Sequence, residues 1–476
     1  MKQYETIIGL EVHVELSTAS KIFCACSTKF GSKPNTNCCP VCTGMPGALP
    51  VINKKAVEYG LAAGLALNCT ITKECMFDRK HYFYPDLPKA YQISQLYFPI
   101  ARDGYITINT SKGDKKIGIH ELHLEEDAGK LVHDSKNNIS LIDFNRAGVP
   151  LIEIVSEPDL SSADEVLAYL EKLKLIMMYL GISDCKMQEG SFRVDINISV
   201  RKIGDKKLGT RTEIKNMNSF KAIARAIEGE KNRQIKLLEE GKAVVRETRR
   251  WDDEKNESLR MRSKEEAQDY CYFTEPDLVP IRISDQWISK ARSLLPEFRD
   301  EKIIRYQKEY GIPEYDAKLL TASKKMADIF EATTILCKKP KEVSNWLMVE
   351  GMRLLNEKEI EPDHMNFSPK NLSKLIMMVD KGKINRTVAK EVFEKVFLED
   401  IDPLEYVECN NLGIISDYDN LRTIVLQVFE ENPKSVSDYK NGKTKAMGYL
   451  VGQTMKAVKG KADPSLINTI VKELLK

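Results

Sequence analysis

Gly9-Leu-Glu-Val-His-Val-Glu-Leu16 carries the clearest structural signal in this chain of 476 residues. Aliphatic residues alternate there with Glu11, His13 and Glu15, a period of two that is typical of a half-buried strand. Because successive strand side chains point to opposite faces, the two carboxylates and the imidazole share one face. Three potential metal or proton ligands in a row indicate a candidate site. On this stretch alone, an ordinary solvent-facing strand is the alternative.

Three further stretches alternate in the same way. Ile117–Asp127 repeats the carboxylate–imidazole–carboxylate row, and Phe192–Arg201 and Thr210–Lys215 carry carboxylate and guanidinium groups on one face. Four such strands predict a curved sheet with a polar concave surface. One strand of this kind is commonplace, but four together are hard to explain as a solvated surface.

The chemistry open to such a face is limited. Hard divalent cations such as Mg²⁺ take oxygen ligands and bridge nucleotide phosphates, and arginines on the same face neutralise a transferring phosphoryl group. The sequence contains neither G-x-x-x-x-G-K-[ST] nor G-x-G-x-x-G, and it has no amidase motif or nucleophile elbow. An ATP site in this chain is therefore expected to consist of a sheet and a metal ion.

Five of the eleven cysteines lie between Cys24 and Cys42. Two close thiol pairs about a dozen residues apart suit a tetrahedral zinc knuckle. We predict Cys24, Cys26, Cys39 and Cys42 as the ligands, with Cys38 as a neighbour; free thiols in a surface loop are the alternative. Four thiolates leave no open coordination position, so the zinc would be structural. The other cysteines occur singly and are predicted core residues: Cys69, Cys75, Cys185, Cys271, Cys337 and Cys409.

The segment Asp78–Gln95 interleaves cations with aromatic residues. Two prolines predict an irregular backbone, and Arg79, Lys80 and Lys89 lie among tyrosines and a phenylalanine. This composition suits phosphate contacts and stacking on a base. A packing loop that carries cations is the alternative.

The composition is that of an ordinary soluble protein, with 42% hydrophobic and 30% charged residues and a formal net charge of +2. The opening residues have no apolar core of a signal peptide, and no apolar run reaches membrane-spanning length. These features predict a cytoplasmic protein without disulfides and without a membrane partner.

Helical patterns occupy Lys54–Leu67, Ser162–Leu180 and Ser219–Glu240, and after about Ser284 they replace strand patterns altogether. Residues 435–476 contain eight lysines against three carboxylates, a net charge of +5. A basic helical tail is a reasonable nucleic-acid footprint, although a solvated helix face is the alternative.

With these residues laid out, the chain resembles the B-subunit family of the bacterial glutamyl/aspartyl-tRNA amidotransferases along essentially its whole length. The matching runs are Ile8–Leu16, Asp78–Gln95, Leu122–Lys130, Pro150–Asp159, Met187–Asn197, Lys215–Phe220 and Lys440–Pro464. The resemblance implies an α+β fold with a cradle-shaped, glutamine-synthetase-like antiparallel sheet domain, then an all-α helical domain and a small all-α tail domain. We predict their bounds as 1–292, with the zinc knuckle at 24–42, then 293–408 and 409–476.

The resemblance also implies an ATP-dependent carbon–nitrogen ligase. ATP would phosphorylate the side-chain carboxylate of misacylated Glu-tRNA(Gln) or Asp-tRNA(Asn), and ammonia would then displace phosphate. The ammonia would come from glutamine in a partner amidase (A) subunit through a tunnel, and a small C subunit would complete the heterotrimer. The implied cofactors are ATP, Mg²⁺ or Mn²⁺, and structural Zn²⁺.

Residue by residue, the resemblance assigns catalytic and metal-binding roles to Glu11, His13 and Glu125, with Glu213 as a fourth metal ligand. Phosphate contacts are expected from Arg79, Lys80 and Lys89, on the basis of charge. The four cysteines match the family's zinc knuckle. Contacts with tRNA are expected from the tail lysines Lys443, Lys445, Lys456 and Lys459.

Two other functions stay open at this point. A free-standing ATP-dependent carboxylate–amine ligase on the same sheet would act on a small molecule, but such a substrate needs neither the basic tail nor the zinc knuckle. A zinc-containing RNA-binding scaffold would need no acidic cluster, and carboxylates would hinder phosphate binding there. Loss of ATP turnover in a Glu11→Ala protein that still binds tRNA separates enzyme from scaffold.

Overall fold

The computed structural model describes residues 3–134, 136–263, 270–414, 417–458 and 462–475. Contacts divide the chain into two compact units, Met1–Phe298 and Arg299–Lys476. The domain bounds expected at residues 292 and 408 stay a prediction.

The first unit combines strands with a few helices. Its elements are β1 (Tyr4–Glu15), α1 (Lys54–Ala66), β2 (Thr70–Ile71), β3 (Glu74–Cys75), β4 (Asp78–His81), β5 (Tyr91–Ser94), β6 (Ala101–Thr110), β7 (Gly113–Glu126), β8 (Lys130–Asp134), β9 (Ile139–Asp143), β10 (Pro150–Ser156), α2 (Ala163–Leu180), β11 (Phe192–Lys202), β12 (Thr212–Lys215), α3 (Phe220–Glu239), β13 (Glu247–Asp252), β14 (Glu257–Ser263), β15 (Cys271–Thr274), β16 (Ile281–Arg282) and α4 (Asp285–Ser293). The predicted mixed α+β class is confirmed, as are the three predicted helices.

The main sheet contains all four strands expected from the alternating stretches. Its order is β14-β13-β12-β11-β1-β10-β7-β6-β2, so β10 separates β1 from β7. Its described pairs are antiparallel, except that β12 and β13 run parallel. A parallel neighbour requires a crossover connection, and α3 supplies it. The expectation of an antiparallel sheet is therefore wrong for this one pair.

The two faces of the main sheet differ in polarity. Leu10, Val12 and Val14 of β1 are almost fully buried and join a core that includes apolar side chains of α1, α2 and α3. The alternate residues of β1 point to the other face, where partly exposed polar side chains prevail. The helices therefore cover one face and leave the second available for a site.

Helix α2 begins where its capping residues predict. The Ser162 hydroxyl accepts a hydrogen bond from the Glu165 backbone N–H at 3.3 Å, and Gly181 ends the helix in the left-handed conformation, with φ of 68°.

Substitution of this cap gives a stability prediction. Ser162→Ala is expected to lower the free energy of unfolding by about 1 kcal/mol, because it leaves a helix N–H without its acceptor. Chemical denaturation measures the change. Ser162→Asp, which keeps an acceptor, should retain most of the stability; equal losses in both variants would contradict the assignment.

The segment Asp78–Gln95 is more regular than the sequence indicates. β4 and β5 pair with β15 in a small sheet of order β15-β4-β5, and both prolines lie in the loop between β4 and β5. The prediction of an irregular backbone is therefore right for the loop and wrong for the two strands. Two short pairs, β16 with β3 and β8 with β9, complete the sheets of the described residues.

The second unit is helical. Its elements are α5 (Arg299–Tyr310), α6 (Glu314–Leu320), α7 (Lys324–Cys337), α8 (Pro340–Asn345), a π-helix (Trp346–Gly351), α9 (Met352–Lys358), a 3-10 helix (Pro362–His364), α10 (Pro369–Asp380), α11 (Arg386–Glu399), α12 (Pro403–Cys409), α13 (Tyr418–Glu431), α14 (Pro433–Lys440), α15 (Lys445–Ala457) and α16 (Pro464–Leu475). Helices α6 and α7 are separate elements, because the Ser323 hydroxyl caps α7 by accepting a hydrogen bond from the Met326 N–H.

Separate apolar clusters stabilise this unit. One extends from Tyr306 to Val407 and the other from Leu421 to Leu475. Of the single cysteines, Cys271 and Cys409 are exposed, so their predicted place in a core is wrong; the other four are buried. None of the helices in the described ranges is both long and apolar enough to cross a membrane.

Candidate active site and cysteine cluster

The open face of the main sheet carries a row of ionisable side chains across four strands. His13 of β1 lies opposite Arg193 of β11 on one side and Glu153 of β10 on the other, and Glu153 lies opposite His123 of β7. Residues directly opposite each other in antiparallel strands point to the same face. The strand order therefore assembles this row from four distant parts of the sequence.

The first candidate metal cluster consists of His13, Glu125 and Glu153. The His13 Nε2 lies 3.3 Å from a Glu153 oxygen and 3.7 Å from a Glu125 oxygen. One ligand atom from each residue lies within 4.8 Å of the others. His123 contacts the same two carboxylates, at 3.2 and 3.6 Å.

Charges within this cluster shift its protonation strongly. Burial opposes a positive charge on His13 and His123, but the Glu153 carboxylate raises the pKa of both imidazoles. Burial likewise opposes the charge on Glu153, whose pKa the two imidazoles nevertheless hold well below its usual range. Glu153 is therefore the electrostatic centre of the cluster.

The second candidate cluster consists of Glu11, Asp195 and Glu213, with ligand atoms again within 4.8 Å of one another. Lys215 pairs with Asp195 and, at 3.0 Å, with Glu213. Burial and the charges of Glu153 and Glu213 raise the pKa of Glu11, although Asn197 donates a hydrogen bond to it at 2.8 Å. A bound cation would relieve this excess of carboxylates.

The four residues expected to bind a catalytic metal thus lie on one face but in two clusters. His13 and Glu125 belong to the first, and Glu11 and Glu213 to the second. Sequence analysis missed Glu153, whose strand reads as mainly aliphatic, and did not select Asp195 although it lies on the polar face of its stretch. A lone carboxylate within the aliphatic run 151–155 was the signal that could have found it.

The small sheet brings Lys80 towards these carboxylates. Burial disfavours its ammonium, but the charges of Glu125 and Glu153 raise its pKa. Its Nζ also lies 4.8 Å from the centre of the Tyr270 ring. Lys80 therefore lies within the electrostatic influence of the first cluster.

Arg79 and Lys89 do not join Lys80. Arg79 points to the opposite face of β4, where it bonds Glu275 at 2.7 and 2.9 Å and Asp277 at 2.9 Å. Lys89 pairs with Glu126. Arg79 and Lys89 therefore each have carboxylate partners outside the two clusters.

A cavity of about 510 Å³ borders the polar face. Arg193, Asp195 and Glu15 line it from the main sheet, together with the loops 28–32, 187–190 and 216–218. The volume falls within the usual range for small-molecule sites.

Polar atoms beside this cavity are not all satisfied. Among the described residues that line it, no hydrogen-bond partner is present for Glu15 Oε1 or Arg193 Nε. Burial and the charge of Asp127 raise the pKa of Glu15 to about 8. Orphaned buried polar atoms cost about 1–3 kcal/mol each, and their concentration here is typical of a ligand site.

The structure brings together the four cysteines selected from their spacing. The Sγ atoms of Cys24, Cys26, Cys39 and Cys42 lie within 4.8 Å of one another, and Cys38 stays outside. The hydrogen bond from the Cys24 thiol lowers the pKa of Cys42 to about 4, against the opposing effect of burial. Tetrahedral zinc with Zn–S bonds of about 2.3 Å places its sulphurs about 3.8 Å apart. The Cys39 and Cys42 Sγ atoms lie 3.9 Å apart, so the donor set fits zinc.

The tail lysines lie in the second unit. Lys443 pairs with Asp438 at 2.9 Å, and Lys445 and Lys456 lie in the first and last turns of α15. Lys459 falls outside the described residues.

Two family models match most of this chain. A family model described as the GatB/GatE catalytic domain matches residues 6–289, and one described as the GatB domain matches residues 328–475.

Curated relatives match over the full length. The B subunit of the aspartyl/glutamyl-tRNA(Asn/Gln) amidotransferase of Lachnoclostridium phytofermentans is 65% identical over 475 residues, covering 100% of this chain and 99% of the relative. The corresponding B subunits of Agathobacter rectalis and Caldicellulosiruptor bescii are 64% and 57% identical; the first alignment covers 100% of both chains and the second 99% of both. The chain therefore belongs to the family of aspartyl/glutamyl-tRNA(Asn/Gln) amidotransferase B subunits.

Proposed function

We propose that this chain is the synthetase subunit of a tRNA-dependent amidotransferase. It uses ATP to phosphorylate the side-chain carboxylate of Glu-tRNA(Gln), Asp-tRNA(Asn) or both, and it then amidates that group with ammonia. The observation that carries the proposal is the pair of carboxylate clusters on one sheet face, with Lys80 at the first and a 510 Å³ cavity beside them. The names of the related B subunits support the choice of substrate.

We assign the first unit to a cradle-shaped fold like that of glutamine synthetase. Its support is a large, mainly antiparallel sheet with helices on one face and ionisable side chains on the other. Such a face suits phosphoryl transfer to a carboxylate, where catalysis consists mainly of positioning and electrostatics.

The proposed reaction has two steps, phosphorylation and amidation. A side-chain carboxylate oxygen attacks the γ-phosphorus of ATP, the bond to the β–γ bridging oxygen breaks, and ADP leaves. Ammonia then attacks the acyl carbon, phosphate leaves with the oxygen that bonded it, and the nitrogen loses a proton to form the amide. The first step is needed because a free carboxylate has no adequate leaving group.

The ligand sets fit Mg²⁺ or Mn²⁺, which take mainly oxygen ligands, because each set supplies at least two carboxylates. His13, Glu125 and Glu153 would hold one cation, and Glu11, Asp195 and Glu213 a second. When bound, the cations supply positive charge to the phosphate oxygens.

Basic side chains of the protein would add to the positive charge that the metal ions supply. Lys80 is placed to contact a transferring phosphoryl group from the small sheet. Arg79 and Lys89 stay in the proposal as phosphate contacts, each of which has to leave a carboxylate partner first. The side chains thus bind and orient the reactants, and no covalent enzyme intermediate is required.

The proposal includes partners that the chain itself does not supply. An amidase (A) subunit would release ammonia from glutamine, and a small C subunit would complete a cytoplasmic heterotrimer. Cys24, Cys26, Cys39 and Cys42 would hold structural zinc.

The basic tail is proposed to bind tRNA. Replacing Lys445 and Lys456 together by Gln should weaken tRNA binding and lower the dependence of log Kd on log salt by about one for each phosphate that is no longer contacted. Filter binding over a salt series measures both quantities. Lys395→Gln, on α11, is the matched control; unchanged affinity and slope in the double variant would remove α15 from the interface.

ATP-dependent amidation with ammonium chloride, catalysed by this chain alone, tests the function. We expect amidation of misacylated tRNA with ammonium, and with glutamine only when the amidase partner is present. Glu11→Gln should abolish turnover while tRNA binding persists, whereas Glu5→Gln, at the other end of β1, should stay active. ATP consumption with a free amino acid instead of aminoacyl-tRNA would favour a free-standing carboxylate–amine ligase.

A further inference from the structure

Lys21 is a fully buried lysine beside the cysteine cluster. Its relative exposure is 0%, and lysine is almost never buried to this degree without an anionic partner. The Nζ donates hydrogen bonds to the Cys42 Sγ at 3.6 Å and to the Phe144 carbonyl oxygen at 3.1 Å. Within the described ranges, no carboxylate forms an ion pair with it. The candidate anion is therefore the sulphur of Cys42.

Charge balance explains why an ammonium group would lie beside the Cys42 sulphur. Four thiolates and one Zn²⁺ together carry a net charge of −2, and an uncompensated charge is costly to remove from water. Cys42, the sulphur nearest to Lys21, is also buried, whereas the other three ligands are half-buried. The ammonium lies where the negative charge is least accessible to water.

The backbone fixes Lys21 in this position. Its N–H donates to the Cys26 carbonyl oxygen at 2.9 Å, and the next residue, Ile22, donates to the Gly148 carbonyl oxygen at 2.9 Å. Lys21 thus contacts the cysteine segment through its backbone and its side chain, and it contacts the chain near Phe144 through Nζ.

We propose that Lys21 is a positioning residue of the zinc knuckle, whose buried ammonium partly neutralises the zinc–thiolate centre and anchors it to the sheet domain. This inference rests on the zinc proposed for the four cysteines, but not on amidation. A purely structural lysine would act only through its aliphatic stem, so an uncharged side chain of similar length would replace it without effect on the metal.

Zinc release distinguishes these roles. The full chain is loaded with one zinc per molecule, and release to a chromogenic chelator is followed for wild type, Lys21→Met, Lys21→Arg and Lys33→Met. We expect release from Lys21→Met to be about 10- to 100-fold faster, as for other groups that support metal ligands. Lys33→Met, which removes an exposed lysine of the same segment, should match wild type, and Lys21→Arg should recover much of the retention.

Thermal unfolding with and without zinc is the second measurement. With zinc, the four thiolates and the ion carry a net charge of −2, part of which the buried ammonium offsets; without zinc this centre is absent, and less negative charge offsets the burial of the ammonium. Lys21→Met should therefore lower the Tm of the zinc form by more than that of the metal-free form. If Lys21→Met fails to fold with zinc, the same pair of measurements is made on Lys21→Gln.

Three results would overturn the inference. The first is zinc retention by Lys21→Met at the wild-type rate. The second is an equal fall in the Tm of both forms, which indicates a stem that only fills space. The third is absence of zinc binding by wild type, which would also refute the proposed zinc site but leave the amidation proposal intact.

Discussion

Glu153→Gln is expected to abolish amidation, with a fall in rate of about 10³-fold or more, because several kcal/mol of charge stabilisation depend on this carboxylate. Glu153 faces both His13 and His123, and it supplies an oxygen to the first cluster. Gln keeps the size of the side chain and removes its charge. Single-turnover amidation with saturating ammonium measures the effect without the partner subunit.

Two further readouts separate chemistry from folding. The pKa of His13 and of His123 should fall in Glu153→Gln, because the charge that raises both is gone; proton NMR titration measures this. Binding of tRNA should be unchanged. Glu157→Gln removes an exposed carboxylate just after β10 that pairs with His120 at 3.0 Å, and it should retain full activity. An active Glu153→Gln protein would refute the assignment of the first cluster.

Cys42→Ser is expected to lose the whole zinc equivalent and to lower the Tm by roughly 5 °C or more, because a bound metal stabilises the folded state by mass action. Cys42 is the most buried of the four sulphurs and accepts from the Cys39 backbone N–H at 3.2 Å. Metal analysis and thermal unfolding measure both effects.

The neighbouring thiol provides the matched control. Cys38 stays outside the group of four sulphurs, with its Sγ 3.9 Å from an Asn145 oxygen. Cys38→Ser should keep full zinc content and stability. If Cys38→Ser lost zinc while Cys42→Ser kept it, the ligand set would be wrong.

The polar face was predictable because alternation in a strand depends only on neighbouring residues. The residues of β1 fall on the expected faces, as their alternating burial shows. Strand order, by contrast, depends on tertiary packing, so the insertion of β10 between β1 and β7 could not be read from any one stretch. Glu153 was missed for that reason. The residues expected to form a single metal site lie instead in two clusters.

For the segment Asp78–Gln95, by contrast, the sequence pattern was misleading. Arg79 and Lys80 were grouped by composition, but adjacent residues of a strand point to opposite faces, and β4 separates them. The prolines indicated a loop and concealed the two short strands beside it. The grouping of the four cysteines could be inferred from local spacing alone, and their sulphurs lie within 4.8 Å of one another.

Transfer of oxygen from the substrate to phosphate is the most direct test of the central claim. Glu-tRNA(Gln) carrying ¹⁸O in its side-chain carboxylate is amidated by this chain with ATP and ammonium, and the inorganic phosphate is analysed by mass spectrometry. The account predicts one ¹⁸O atom in each phosphate released, because the carboxylate oxygen that attacks ATP leaves with phosphorus. Amidation that yields unlabelled phosphate would contradict phosphorylation of the carboxylate.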